Sequence, residues 1–119
     1  MHRVIFQLKM NPSLKRQLLR TFAQMIDDLG SPKEIEIFLK DFFDDEELTK
    51  YVKRLAIAYW LKKGRDKENI QRNLQATPKE ISEARKSLKK EGINLALKKI
   101  EAEEWADVWV KRIKKFSKN

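Results

Sequence analysis

The sequence predicts an all-α fold, and three observations predict it. Apolar residues recur at three- and four-residue spacing along most of the chain instead of alternating. Glycine and proline number only 3 each in 119 residues, too few for the many tight turns of an all-β protein. Those six residues also fall where helices would start and stop. Each proline follows a side chain able to cap a helix, in Asn11-Pro12, Ser31-Pro32 and Thr77-Pro78. Proline suits the first helical position because its missing N–H would be unpaired there anyway. Gly30, Gly64 and Gly92 each close an apolar-periodic run, where a left-handed residue is wanted.

The elements follow in order. Residues 1–11 alternate weakly and read as an arm or a short extra helix. A first helix is expected over 12–29, with Leu14, Leu18, Phe22, Met25, Ile26 and Leu29 on one face. A second is expected over 32–43, opened by the capping box Ser31-Pro32-Lys33-Glu34. A third, over 45–63, starts at Asp44 or Asp45 and is apolar over most of its circumference, which calls for several neighbours or a second chain. A short fourth helix, 67–74, is capped by Asp66 and turns only Ile70 and Leu74 inward. A fifth, 78–90, opens with the box Thr77-Pro78-Lys79-Glu80 and turns Ile81, Ala84 and Leu88 inward. A sixth, 93–116, carries Ala102, Trp105, Ala106, Trp109, Ile113 and Phe116 at helical spacing. Residues 12–92 thus form one helical domain, and 93–119 a long amphipathic helix packed on it.

Composition narrows the function. The chain has no cysteine, and its one histidine is His2, which argues against thiolate metal sites, cysteine nucleophiles and histidine-based triads. No residue set supports catalysis, and no cofactor is implied. No apolar run approaches a membrane span and the start lacks a signal peptide's apolar core, so a cytoplasmic protein is expected. The net charge is +9, and nearly all of it lies in residues 61–119, which carry +8. Such asymmetry favours a polyanionic partner, nucleic acid before membrane.

The fourth and fifth helices are joined by the three residues Gln75-Ala76-Thr77, a spacing that fits a helix-turn-helix over about 66–90. Residues 62–90 hold 10 basic and 4 acidic side chains, enough to neutralise phosphates while the start of the second helix reaches base edges. Gln75 stands where many such turns place glycine. Lys67, Lys79, Arg85, Lys86 and Lys89 are the expected phosphate contacts. Glu80, Ser82, Gln71 and Thr77 are the expected base-facing residues, glutamate being suited to accept from cytosine N4. The plainer reading is two surface helices of a bundle, with lysines for solubility.

Leu48-Thr49-Lys50-Tyr51-Val52-Lys53-Arg54-Leu55-Ala56-Ile57-Ala58-Tyr59-Trp60-Leu61-Lys62-Lys63-Gly64, then Asn69-Ile70-Gln71-Arg72-Asn73-Leu74-Gln75-Ala76-Thr77 with Ile81-Ser82, resembles the Trp repressor superfamily. Phe38-Leu39-Lys40-Asp41-Phe42-Phe43 and Asp45-Glu46-Glu47-Leu48 extend the likeness to its short bacterial branch, over roughly residues 12–97. The resemblance implies a homodimer with interlocking N-terminal helices, two helix-turn-helix units in successive major grooves of double-stranded DNA, and transcription regulation. It also implies an effector site. The tryptophan-binding member uses an arginine before the helix-turn-helix, then an arginine, glycine and serine on the recognition helix. Arg54 and Ser87 match the first and last of these, whereas Glu83 and Ala84 stand in place of the second arginine and the glycine. Tryptophan is therefore not expected as corepressor, and any other effector is open. Arg54 is expected instead to form an ion pair, with the acidic residues 44–47 or a dimer mate, and Glu83 to pair with Arg54, Lys79 or Lys86.

Four other readings have some support. Asp41, Asp44, Asp45, Glu46 and Glu47 could hold a hard cation, but a helix start accounts for them more simply. The basic end of the sixth helix, Lys111-Arg112-Ile113-Lys114-Lys115-Phe116, could lie on a membrane, though packing of its aromatic stripe is the simpler role. Finally, the fold could serve as a protein-interaction module that has lost DNA readout, since Glu80 and Glu83 would repel phosphate. RNA binding is weaker, because few aromatics lie beside the basic stretch to stack bases.

Overall fold

The computed structural model describes residues 9–117, and side chains as far as Glu104. The weakly patterned residues 1–8 and the side chains of Trp105 and Trp109 lie outside that description. The described residues form six helices and no strand: α1 Pro12–Leu29, α2 Pro32–Phe42, α3 Asp45–Lys62, α4 Lys67–Leu74, α5 Pro78–Ser87 and α6 Glu91–Ser117. The all-α reading stands, with the six helices in the expected order.

The caps form at the residues the sequence predicts. Asn11 Oδ1 accepts the Ser13 N–H at 2.8 Å, Ser31 Oγ the Glu34 N–H at 3.2 Å, and Asp66 Oδ1 the Asn69 N–H at 2.8 Å. At α5 the box is complete: Glu80 N–H donates to Thr77 Oγ1 and Thr77 N–H donates back to Glu80 Oε1. Gly30 and Gly64 take positive φ, +75° and +88°, as chain-reversing ends require.

Five boundaries differ from expectation, one of them the end of α6, at Ser117 instead of residue 116. α2 ends at Phe42, because Phe43 turns extended with its N–H held by the Leu39 carbonyl. α3 ends at Lys62, one residue early. α5 stops at Ser87, not residue 90, because the N–H groups of Leu88, Lys89 and Lys90 bond back three residues, to Arg85, Lys86 and Ser87, tightening the last turn. The Asn94 side-chain amide then takes the carbonyls of Leu88 and Lys90, at 2.8 and 3.0 Å. The sixth helix accordingly begins at Glu91, not 93, and Gly92 lies inside its first turn instead of ending a run.

The chain divides into two compact units, Met1–Asp45 and Glu46–Asn119. In the first, α1 and α2 are tied by rings: Phe22 lies 5.9 Å from Phe38 and 5.6 Å from Phe42, and Phe38 stacks on Phe42 at 5.1 Å. Neither helix has a buried residue. In the second unit Ile57, Ala58 and Tyr59 of α3, Ile70 of α4, Ala76 of the turn, Ile81 and Ala84 of α5 and Leu97 of α6 make a buried core. The helix-turn-helix is thus built around that core. Tyr59 also donates its hydroxyl to the Glu104 carboxylate, fixing α6 to α3. That bond, with burial and the nearby carboxylates, pushes the Tyr59 hydroxyl up to about 12, so it remains a donor at any physiological pH.

The turn between α4 and α5 carries a strained residue. Gln75 adopts φ +52°, the only positive φ among the described non-glycine residues. A side chain in that region costs about 1–2 kcal/mol, against about 0.5–1 kcal/mol of extra chain entropy for glycine. Gln75→Gly is therefore expected to stabilise the protein by up to about 1 kcal/mol, raising Tm by about 2–4 °C in thermal melts. Gln75→Val should lower it.

Candidate nucleic-acid interface

α5 is sorted by face. Ile81, Ala84 and Leu88, spaced three and four apart, point into or against the core, and Ser87 is buried beside them. On the opposite side Lys79, Ser82 and Lys86 share the same spacing and are all exposed. Arg85 is exposed on one flank, and Lys89 is exposed in the turn beyond the helix. Lys67 is the exposed first residue of α4, and Gln71 is half-buried on the same helix. Thr77 is the exposed cap of α5.

The two glutamates of α5 lie on the other flank and are drawn to α3. Lys53 Nζ is 3.2 Å from Glu80 Oε1, and Arg54 Nη2 is 3.5 Å from Glu83 Oε1. Adjacent cations on α3 thus meet carboxylates one turn apart on α5. A cavity of about 20 Å³ lies among Lys50, Arg54, Ile57, Glu80 and Glu83. The Thr77 N–H, followed by Lys53, holds the Glu80 carboxyl below its ordinary range. The capping bond and the ion pair engage the same oxygen of Glu80. A carboxylate so engaged is poorly placed to accept from cytosine, so the base-facing role expected of Glu80 loses its geometric support.

Arg54 pairs with Glu83, one of the three partners expected for that carboxylate. Arg54 and Ser87 also line a common, largely apolar pocket of about 350 Å³, with Tyr51, Leu55, Ala58, Ile93 and Ala96. The Ser87 hydroxyl donates to the Ala84 carbonyl at 2.6 Å. Both residues at the implied effector positions therefore already have partners within the chain. Lys53 was missed from the sequence, since which α3 cation meets Glu80 depends on the register of two helices. No helix among the described residues is long and apolar enough to cross a membrane, and no acidic cluster among them could hold a metal ion.

A family model described as Trp repressor protein matches residues 17–101, which takes in α2 to α5 entire and most of α1. No curated protein and no solved structure matches the chain.

Proposed function

We propose, because this chain belongs to the Trp repressor family, that it is a sequence-specific double-stranded DNA-binding protein that regulates transcription as a homodimer, without tryptophan as corepressor. The observation that carries this reading is the sorting of charge on α5. Its carboxylates are paired with Lys53 and Arg54, so they do not stand among the exposed cations, and the stripe Lys79, Ser82, Lys86 is free of acidic side chains. Arg85, Lys86, Lys89 and Lys67 supply phosphate contacts, and the first turns of α5 meet the bases. The same pairing weakens the interaction-module alternative, whose support was two carboxylates facing a would-be phosphate backbone. The Asp45-Glu46-Glu47-Leu48 stretch supports placement in the short bacterial branch, and a regulator of this kind works in the cytoplasm.

The tryptophan reading rests on charge. A ligand carboxylate about 4 Å from Glu83 is repelled by about 1–4 kcal/mol, depending on solvent access. It must also draw Arg54 from its existing partner. The test is a binding selection of the full chain on random duplex DNA at physiological salt, with and without millimolar L-tryptophan. An enriched palindrome in both selections is expected. Weak unselective binding would favour the interaction module, and enrichment only with tryptophan would overturn the effector-free reading.

A further inference from the structure

We infer that Lys79 reads guanine in the major groove, so that the half-site recognised by α5 is specified by a guanine N7 and O6. The inference rests on the DNA-binding reading above and goes beyond it by naming the base and the residue.

The argument is one of donors and acceptors. Adenine is read by a side-chain amide, which both gives and takes a hydrogen bond, and cytosine by a carboxylate, which accepts from N4. α5 contains no asparagine or glutamine. Its two glutamates are engaged by α3. What remains exposed on its outer stripe is two ammonium groups and one hydroxyl, from Lys79, Lys86 and Ser82. Guanine is the base that offers two acceptors side by side in the major groove, and it is the base that a cationic donor selects. The serine hydroxyl donates or accepts and discriminates little.

Position separates the two lysines. Lys79 is the second residue of α5, and side chains on a helix lean toward its N-terminus. It therefore projects over the end of the helix that enters the groove first. Lys86 lies two turns later, at the level of the backbone-contacting cations. Among the described residues no carboxylate pairs with Lys79, so its ammonium need not leave a partner to reach a base. Lys79 thus moves from the phosphate-contacting set to the base-reading set.

The experiment uses the full chain and one duplex enriched from the random pool, made once with guanine and once with 7-deazaguanine, which pairs normally but lacks N7. Fluorescence anisotropy should show about tenfold or greater loss of affinity on the 7-deaza duplex. Lys79→Ala should bind both versions within about twofold of each other, and Lys79→Arg should restore the difference. Equal binding of both duplexes by the unaltered chain overturns the inference while leaving DNA binding intact. A 7-deaza loss that persists in Lys79→Ala overturns the assignment to Lys79. Failure to enrich any duplex overturns both the inference and the reading beneath it.

Discussion

The affinity of the full chain for duplex DNA is expected to fall by about three to four orders of magnitude between 50 and 200 mM salt. On the proposed reading, the exposed cations of the helix-turn-helix would supply about three to four phosphate contacts per protomer. A dimer would then release counterions from about six to eight phosphates, which would set the slope of log K against log salt at about −5 to −7. Pairing of Glu80 and Glu83 with α3 favours the full slope, since unpaired carboxylates on the same helix would offset part of it. Lys86→Ala should weaken binding to every sequence and flatten the slope by about one unit per protomer. Titrations by anisotropy across that salt range measure both. A slope near zero would be incompatible with phosphate contacts by these residues.

Sedimentation equilibrium of the full chain at micromolar concentration is expected to give about 28 kDa, twice the 14.2 kDa of one chain. α1 and α2 bury none of their residues, and Leu18 and Leu19 are 49% and 65% exposed, with Leu14, Ile37 and Phe42 about half exposed. A helix pair that leaves this much apolar surface in water gains too little from burial to offset the entropy of ordering it. If a second copy covers it, as proposed, the folded state is tied to protomer concentration. The Tm should fall on dilution, and Leu18→Glu should lower it at every concentration. A monomer of 14.2 kDa with a dilution-independent melt would rule out the interlocked arrangement.

What could be read from the sequence was set by local chemistry. A proline after Asn11, Ser31 or Thr77 and a glycine at 30 or 64 act within one helical turn, so the starts of α1, α2 and α5 and the ends of α1 and α3 were legible to within a residue. Gly92 misled because a glycine can also sit in a first helical turn, and the link from α5 to α6 is held by Asn94, whose amide donates to carbonyls from outside its own helix. The candidate site divides along the same line. The exposed stripe follows from helical period alone. The partners of Glu80 and Glu83 depend on how α3 and α5 align, and the bond from Tyr59 to Glu104 joins residues 45 apart in sequence, which no local pattern reports. Glu80 shows the cost of reading motifs singly: its place in a capping box and its place on a recognition helix were both visible, and the cap together with Lys53 took the carboxylate.

The early close of α5 has a metric consequence. Ten residues at 1.5 Å each make a helix about 15 Å long, close to the ~12 Å width of the B-DNA major groove. A helix of that reach would fit within the groove if α5 enters it as proposed. After Ser87 the N–H groups of Leu88, Lys89 and Lys90 bond back three residues, so Lys89 and Lys90 lie beyond the α-helix instead of extending it. Had the helix run on to residue 90, it would have carried about 4.5 Å more of rigid backbone toward the sugar-phosphate wall. On the proposed reading, the tight turn would act as a gauge that matches the length of α5 to the width of the groove.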